Sequence, residues 1–129
     1  MARAITSGIE SVGLSVKLFD VASADRTEII KEMLDSKGFI FGSSTHDNGM
    51  LPTMAGFIDF VKGLKPRNRV AQVFGSFGWA GGATKQIEHI VKEAGIELIG
   101  EALQIKYMPD QNDIKSCFDL GKNFALKVK

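Results

Sequence analysis

Two short segments hold most of the residues that could do chemistry. The first, Ser43-Ser44-Thr45-His46-Asp47-Asn48-Gly49, gathers hydroxyls, an imidazole, a carboxylate and an amide. Such a set can satisfy the donor and acceptor edge of a planar heterocycle. The second, Gly75-Ser76-Phe77-Gly78-Trp79-Ala80-Gly81-Gly82, combines glycines, which let backbone amides approach a ligand, with the only tryptophan, a flat apolar wall. Together they describe a clasp for a flat polar ring. Each also has a plainer reading, since hydroxyl and acidic residues ahead of a helix serve turns and caps, and glycine-rich turns permit close helix–sheet packing. Other chemistry finds less support. His46 and His89 are far apart in sequence with no acidic cluster around them, so no metal site is expected. Cys117 falls on an apolar helix face and reads as a buried, inert thiol. No Ser-His-Asp or Cys-His set can be assembled, so no catalytic residue is expected.

The elements that must position these segments follow from apolar periodicity. Ile5, Ile9 and Val12 keep helical spacing until Gly13, a C-cap residue. Leu14, Val16 and Leu18 alternate with polar neighbours up to Asp20, which predicts a strand. Ser23-Ala24-Asp25 then offers cap residues for a helix with Ile29, Ile30, Met33 and Leu34 on its inner side. Phe39-Ile40-Phe41 is a short continuous apolar run, the pattern of a strand covered on both faces, and the first polar segment follows it as a loop. Pro52 suits the first turn of a helix burying Met54, Phe57, Ile58 and Val61. Val70 to Phe74 is a second buried strand, ending in the glycine-rich segment. Ile87, Ile90, Val91 and Ala94 mark the next helix, closed by Gly95. Ile96 to Ile99 and Leu103 to Tyr107 read as one interrupted strand. The last helix begins near Pro109-Asp110 and carries Ile114, Cys117, Phe118, Gly121, Phe124, Ala125 and Val128. Alternating helices and strands predict a three-layer α/β/α sandwich around a mainly parallel sheet. In such a sheet ligands sit beyond the carboxyl ends of the strands, where both chemical segments lie.

Composition narrows the function classes. A chain of 129 residues supports one domain, and 16 basic against 15 acidic side chains give no electrostatic reason to expect a nucleic acid partner. No run approaches the roughly 18 to 20 apolar residues that cross a membrane. One cysteine and no leader-like start predict a cytoplasmic setting. The basic clusters from Lys62 to Arg69 and Lys122 to Lys129 read as solvated helix ends, with docking of a redox partner as the alternative.

The run from Gly42 to Gly49 followed by Leu51-Pro52-Thr53, and the run from Phe74 through Gly78-Trp79-Ala80 to Ala83, resemble the flavodoxin-like domain of A-type flavoproteins, also called flavodiiron proteins. The likeness extends from Met1 to the last helix and includes Asp25-Arg26-Thr27-Glu28-Ile29 and Lys106-Tyr107-Met108-Pro109. It implies a flavodoxin-like fold with strand order 2-1-3-4-5, flavin mononucleotide (FMN) as cofactor, and an electron-transfer role. It also implies that Ser44, Thr45, His46, Asp47 and Asn48 contact the isoalloxazine ring from one loop, and Ser76, Phe77, Gly78, Trp79, Ala80 and Gly81 from another. Ser44 and His46 depart from the family pattern, where a proline and an apolar residue are common.

Two family features are missing. The metallo-beta-lactamase-like domain that holds two irons is absent, so reduction of oxygen or nitric oxide by the diiron route is not expected of this chain, and its partner would be a redox protein or a diiron domain. The family also opens with a strand and a hydroxyl-rich loop that wraps the flavin phosphate. Here the sequence starts at the following helix. Residues 1–129 therefore read as one flavodoxin-like domain truncated at its N-terminus, with FMN held weakly or not at all. The missing strand would be central, leaving a slot between the strands that start at Leu14 and Phe39. Those strands could close up, a partner chain could insert a strand, or the chain could belong to a longer polypeptide. The competing functional reading is thus a flavin-free structural module, homo-oligomeric or paired with a partner that supplies the strand. A phosphorylated receiver domain of the same topology is disfavoured, because no Asp pair precedes the Leu14 strand and no Asp ends the Phe39 strand.

Overall fold

The chain's punctuation residues set where its elements begin and end. In the computed structural model, which describes residues 1–129, α1 (Ala2–Glu10) closes just ahead of Gly13, whose φ of 83° is open to glycine without strain. Asp25 Oδ1 accepts the Thr27 N–H at 2.9 Å and starts α2 (Arg26–Asp35). Then come β1 (Gly38–His46), β2 (Gly49–Met50), α3 (Pro52–Leu64), β3 (Val70–Phe77), α4 (Ala83–Glu93), β4 (Glu97–Leu98), β5 (Leu103–Lys106) and α5 (Gln111–Val128). Asp110 and Asp113 cap α5 reciprocally, each carboxylate accepting the other's N–H.

β1 and β3 form the centre of the sheet, paired in parallel from Gly38↔Val70 to Ser44↔Ser76. On the far edge of β3, β4 and β5 pair with it in parallel as two pieces of one interrupted strand. Between them residues 99–102 bulge outward opposite Gln72 and Val73, and the buried Gln72 amide donates to the Glu101 carbonyl at 2.9 Å. On the other edge of β1, the short β2 pairs antiparallel at Thr45↔Met50 and His46↔Gly49. The strands order as β2-β1-β3-β4, with β5 continuing beside β3.

Helices cover both faces. α2, α3 and α4 bury Met33, Phe57, Ile58, Val61, Ile87 and Val91 against Phe39, Phe41 and Val73. α1 and α5 cover the opposite face with Ile5, Ile9, Cys117, Leu120 and Ala125 against Ile105. The architecture is the expected three-layer sandwich around a mostly parallel sheet.

Four local expectations need correction. The Leu14–Asp20 segment forms no strand ladder. Its alternation holds only in part: Leu14 and Val16 pack toward α1 and α5, but Leu18 is exposed, and it is Phe19 and Val21 that pack toward the other cluster. A strand, however, also needs a neighbour for its backbone, and none lies beside it. Nor do this segment and β1 close up, because a cavity of about 1050 Å3 lies between them. β1 and β3 run further than expected, through His46 and Phe77, because polar and glycine residues at a sheet's end still extend the ladder. Leu34 and Ile114 lie on exposed helix positions rather than inside.

Cys117 is fully buried, and burial pushes its thiol pKa up. Alkylation of Cys117 in the folded chain is expected to run at least about tenfold slower than in denaturant, followed by mass spectrometry over time. The sign for stability is also determined. The folded state holds the thiol proton more tightly than the unfolded chain, so this group is neutral to stability below the ordinary thiol range and weakens the fold as pH rises through it.

Candidate functional site

The register of β1 on β3 brings the two chemical segments together. Ser43↔Gly75 and Ser44↔Ser76 are neighbours across the ladder, and the Ser76 hydroxyl donates to Ser44 Oγ at 3.2 Å. The chain beyond each strand therefore emerges at the same carboxyl edge, where a parallel sheet places its ligands.

The first segment is built as a hairpin. Asp47 and Asn48 have φ of 47° and 63°, so they are the two central residues of a tight turn between His46 and Gly49. Positive φ at both positions matches the type of two-residue turn that follows strand twist, and Asp and Asn tolerate it better than most side chains. Buried Ser43 pins the hairpin's return, its Oγ accepting the Leu51 N–H at 3.0 Å and donating to the Ser44 carbonyl at 2.7 Å. Gln86 of α4 supports the far side, accepting the Met50 N–H at 3.0 Å.

The second segment leaves β3 at Phe77 and enters α4 at Ala83. Gly82 lies directly against the Asn48 carbonyl, where any Cβ would collide with it. That close approach lets Thr45 Oγ1 accept the Ala83 N–H, at 3.4 Å, so the hairpin caps the start of α4. Between the segments lies a notch of about 230 Å3 lined by Thr45, Asp47, Asn48, Gly78, Trp79 and Ala80. The backbone N–H groups of Asp47, Asn48, Gly78, Trp79 and Ala80 donate to nothing within the chain. Trp79 stands at the rim, 97% exposed. The notch therefore offers free backbone donors at its edges beside one large uncovered aromatic surface.

The remaining sequence-proposed residues fall around this notch rather than in its lining. Ser44 and Ser76 bond to each other beneath it. His46 sits one residue before the turn with its Nε2 3.4 Å from Asp47 Oδ2. Phe77 and Gly81 lie side by side, and a Cβ on Gly81 would come within 2.5 Å of Gln104 Oε1. His89 is on the surface of α4, 3.0 Å from Glu93.

One neighbour escaped the sequence reading. Tyr107 follows β5, its N–H donating to the Phe77 carbonyl at 2.7 Å, and its ring lies 3.7 Å from the position a Gly78 Cβ would take. Lys106 Nζ stands 5.2 Å from that ring's centroid. The signal was available, since β5 is a third parallel strand ending at the same edge. No group of three or more His, Cys, Asp or Glu side chains comes together as a metal site, and no helix is long and apolar enough to cross a membrane.

With this geometry in view, comparison with known proteins is informative. The flavodoxin family profile matches residues 1–121. A nitric oxide reductase of Moorella thermoacetica is 39% identical over 129 residues, covering 99% of this chain and 32% of that protein. An anaerobic nitric oxide reductase flavorubredoxin of Aeromonas hydrophila is 40% identical over 127 residues, 97% of this chain and 26% of that one. The chain thus spans about a third or less of these curated relatives. Among solved structures, the rubredoxin oxygen:oxidoreductase of Desulfovibrio gigas superposes with a TM-score of 0.93 at 31% identity, covering 98% of this chain and 32% of that one. A flavodoxin from the domain Archaea superposes at 0.88 with 30% identity, covering 98% of this chain and 86% of that one. The chain belongs to the flavodoxin family, as a flavodoxin domain related to the flavodoxin module of flavodiiron nitric oxide and oxygen reductases.

Proposed function

We propose that the chain is an FMN-binding electron-transfer module whose ring site is the notch between the hairpin turn and the Gly78–Gly81 segment. The observation that carries this is that five residues with unpaired backbone N–H groups, one of them bearing an exposed indole, line a single opening at the carboxyl edge of a parallel sheet. In this reading Ser44, Thr45, His46, Asp47 and Asn48 form one wall, and Ser76, Phe77, Gly78, Trp79, Ala80 and Gly81 the other. Free amides suit the carbonyl and nitrogen edge of a heterocycle, and Trp79 supplies stacking area. The bound flavin supplies the redox chemistry, while the chain binds and orients the ring and covers part of it from water. Thr45 and Gly82 serve as positioning residues, since they hold the turn against α4.

Trp79 is the only tryptophan, so its fluorescence reports directly on the notch. Titration with FMN should quench it saturably and retain flavin absorbance on the protein after gel filtration. No quenching and no retained flavin would remove the cofactor from this reading.

As a partner we propose a diiron module or another redox protein, as the relatives' names suggest, with the exposed Tyr107 and Met108 beside the notch as its landing area. The fully buried, unpaired thiol supports a reducing, cytoplasmic setting. A second reading, a flavin-free interaction module that oligomerises, draws on the large cavity beside β1. Light scattering on the purified chain separates the two, since a stable monomer that binds FMN excludes the second.

A further inference from the structure

We propose that Tyr107 is a positioning residue for the flavin ring: its side chain braces the Gly78–Gly81 segment from outside the notch and keeps that wall of the ring site in place. The inference rests on the ring site proposed above and adds to it a residue that lies outside the notch lining.

The backbone of Tyr107 is the first observation. Five residues other than glycine have positive φ, namely Asp47, Asn48, Lys65, Asn68 and Tyr107, and the last, at 62°, is the only aromatic one. Asn and Asp enter the left-handed region at little cost, whereas a bulky side chain there crowds its own backbone. The turn that leads from β5 towards α5 uses this positive φ, and glycine or asparagine would supply it with less strain. A tyrosine held in such a conformation points to a use for its ring. Burial is not that use, since Tyr107 is 67% exposed.

The second observation is where the ring lies. Phe77↔Lys106 is the last register pair of β3 and β5, and the Tyr107 N–H then donates to the Phe77 carbonyl at 2.7 Å. Tyr107 and Gly78 therefore leave the sheet from adjacent points on one edge. The Tyr107 ring stands against the place a Gly78 side chain would begin, with Cε1 and Cδ1 at 3.7 and 3.9 Å from that Cβ position. Lys106 Nζ, 5.2 Å from the ring's centroid, adds a cation–π attraction that holds the ring near its own strand.

The third observation is how little else holds the segment. Between Phe77, which ends β3, and Gly82, which precedes α4, no hydrogen bond fixes residues 78–81. Trp79 is 97% exposed, so packing does not hold it either. At the far end Gln104 lies beside Gly81, and the Asn48 carbonyl lies against Gly82. At the near end the neighbour standing against Gly78 is the Tyr107 ring. Without it, residues 78–80, which line the notch with their amides unpaired, would sample more backbone states, and binding would have to order them.

The test uses the full chain, free of flavin and then titrated with FMN, alongside Tyr107→Gly and Tyr107→Phe. Glycine removes the ring but also relieves the strained φ, so the thermal midpoint should stay within about 2 °C of the unaltered chain's. In the flavin-free state, the same variant should lower the backbone 15N order parameters of Gly78, Trp79 and Ala80 from near the rigid value of about 0.85 to below about 0.6. It should also weaken FMN binding about tenfold, the cost of fixing roughly one freed residue's backbone. Tyr107→Phe, which keeps the ring and loses only the hydroxyl, should restore both readouts. A ring that serves packing alone gives the opposite split, a lowered midpoint with unchanged order parameters and affinity, and that result overturns the proposal. Order parameters that stay high in Tyr107→Gly overturn it whatever the midpoint does. If the unaltered chain binds no FMN, the ring-site reading falls and this proposal with it; if it binds and Tyr107→Gly binds equally well, this proposal alone falls.

Discussion

Alanine at Gly121 is expected to lower the thermal midpoint by about 5–10 °C, even though alanine is the better helix former by about 1 kcal/mol. The reason lies in how α1 meets α5. Gly121 is buried mid-helix, and its missing Cβ is replaced by the backbone of Ile5, whose carbonyl oxygen occupies that place. Gly8 of α1 repeats the arrangement against the Phe118 carbonyl and the Lys122 nitrogen of α5. Each glycine thus admits the other helix's main chain, which cannot swing aside as a side chain would. Separating the helices loosens the packing of Ile5, Ile9, Cys117 and Leu120 together, so overpacking of about 1–3 kcal/mol is expected to outweigh the propensity gain. Gly8→Ala should behave alike, and the double variant should cost less than the two single costs combined, because the helices need to part only once. Gly56→Ala and Gly63→Ala, in α3 with open space at their Cβ positions, should instead stabilise by about 0.5–1 kcal/mol. Thermal melts of the set check this, and stabilisation at Gly8 and Gly121 like that at Gly56 and Gly63 would show that the α1–α5 crossing is not close.

Trp79→Ala is expected to weaken FMN binding by about 10- to 100-fold while leaving stability within about 0.5 kcal/mol. Trp79 is 97% exposed and contributes almost nothing to the core, so its removal should cost the fold little. Stacking a planar heterocycle on an aromatic side chain is worth roughly 1–3 kcal/mol by alanine substitution, which sets the size of the affinity loss. Flavin absorbance in equilibrium dialysis gives the affinity, since the variant lacks tryptophan fluorescence, and a thermal melt gives the stability. Trp79→Phe should recover most of the binding. An unchanged affinity in the alanine variant would move the ring away from this rim.

Much of the scaffold was readable in one dimension because its signals are local. The helical stripe of Met54, Phe57, Ile58 and Val61, the cap at Asp25, the helix start near Asp110 and the left-handed glycines at 13 and 95 each depend on residues within a turn or two. The interruption of the last strand was legible for the same reason, because Gly100 breaks the apolar run. The Leu14 segment shows the limit. Leu14 and Val16 do face an apolar layer while Leu18 does not, and whether an extended segment becomes a strand is decided by a neighbour's backbone, which no local pattern encodes. The polar Ser43–His46 stretch misled in the opposite direction, because its pairing comes from β3 and β2 rather than from its own composition.

The sequence by itself determined the layered α/β architecture, the family, and two segments able to hold a flat polar ring, because periodicity, caps and residue chemistry survive without coordinates. Only the tertiary structure decided that those segments share one notch, that Tyr107 stands beside it, and that a cavity of about 1050 Å3 separates Leu14–Asp20 from β1. These depend on register, helix separation and unpaired backbone, which arise between elements distant in the chain.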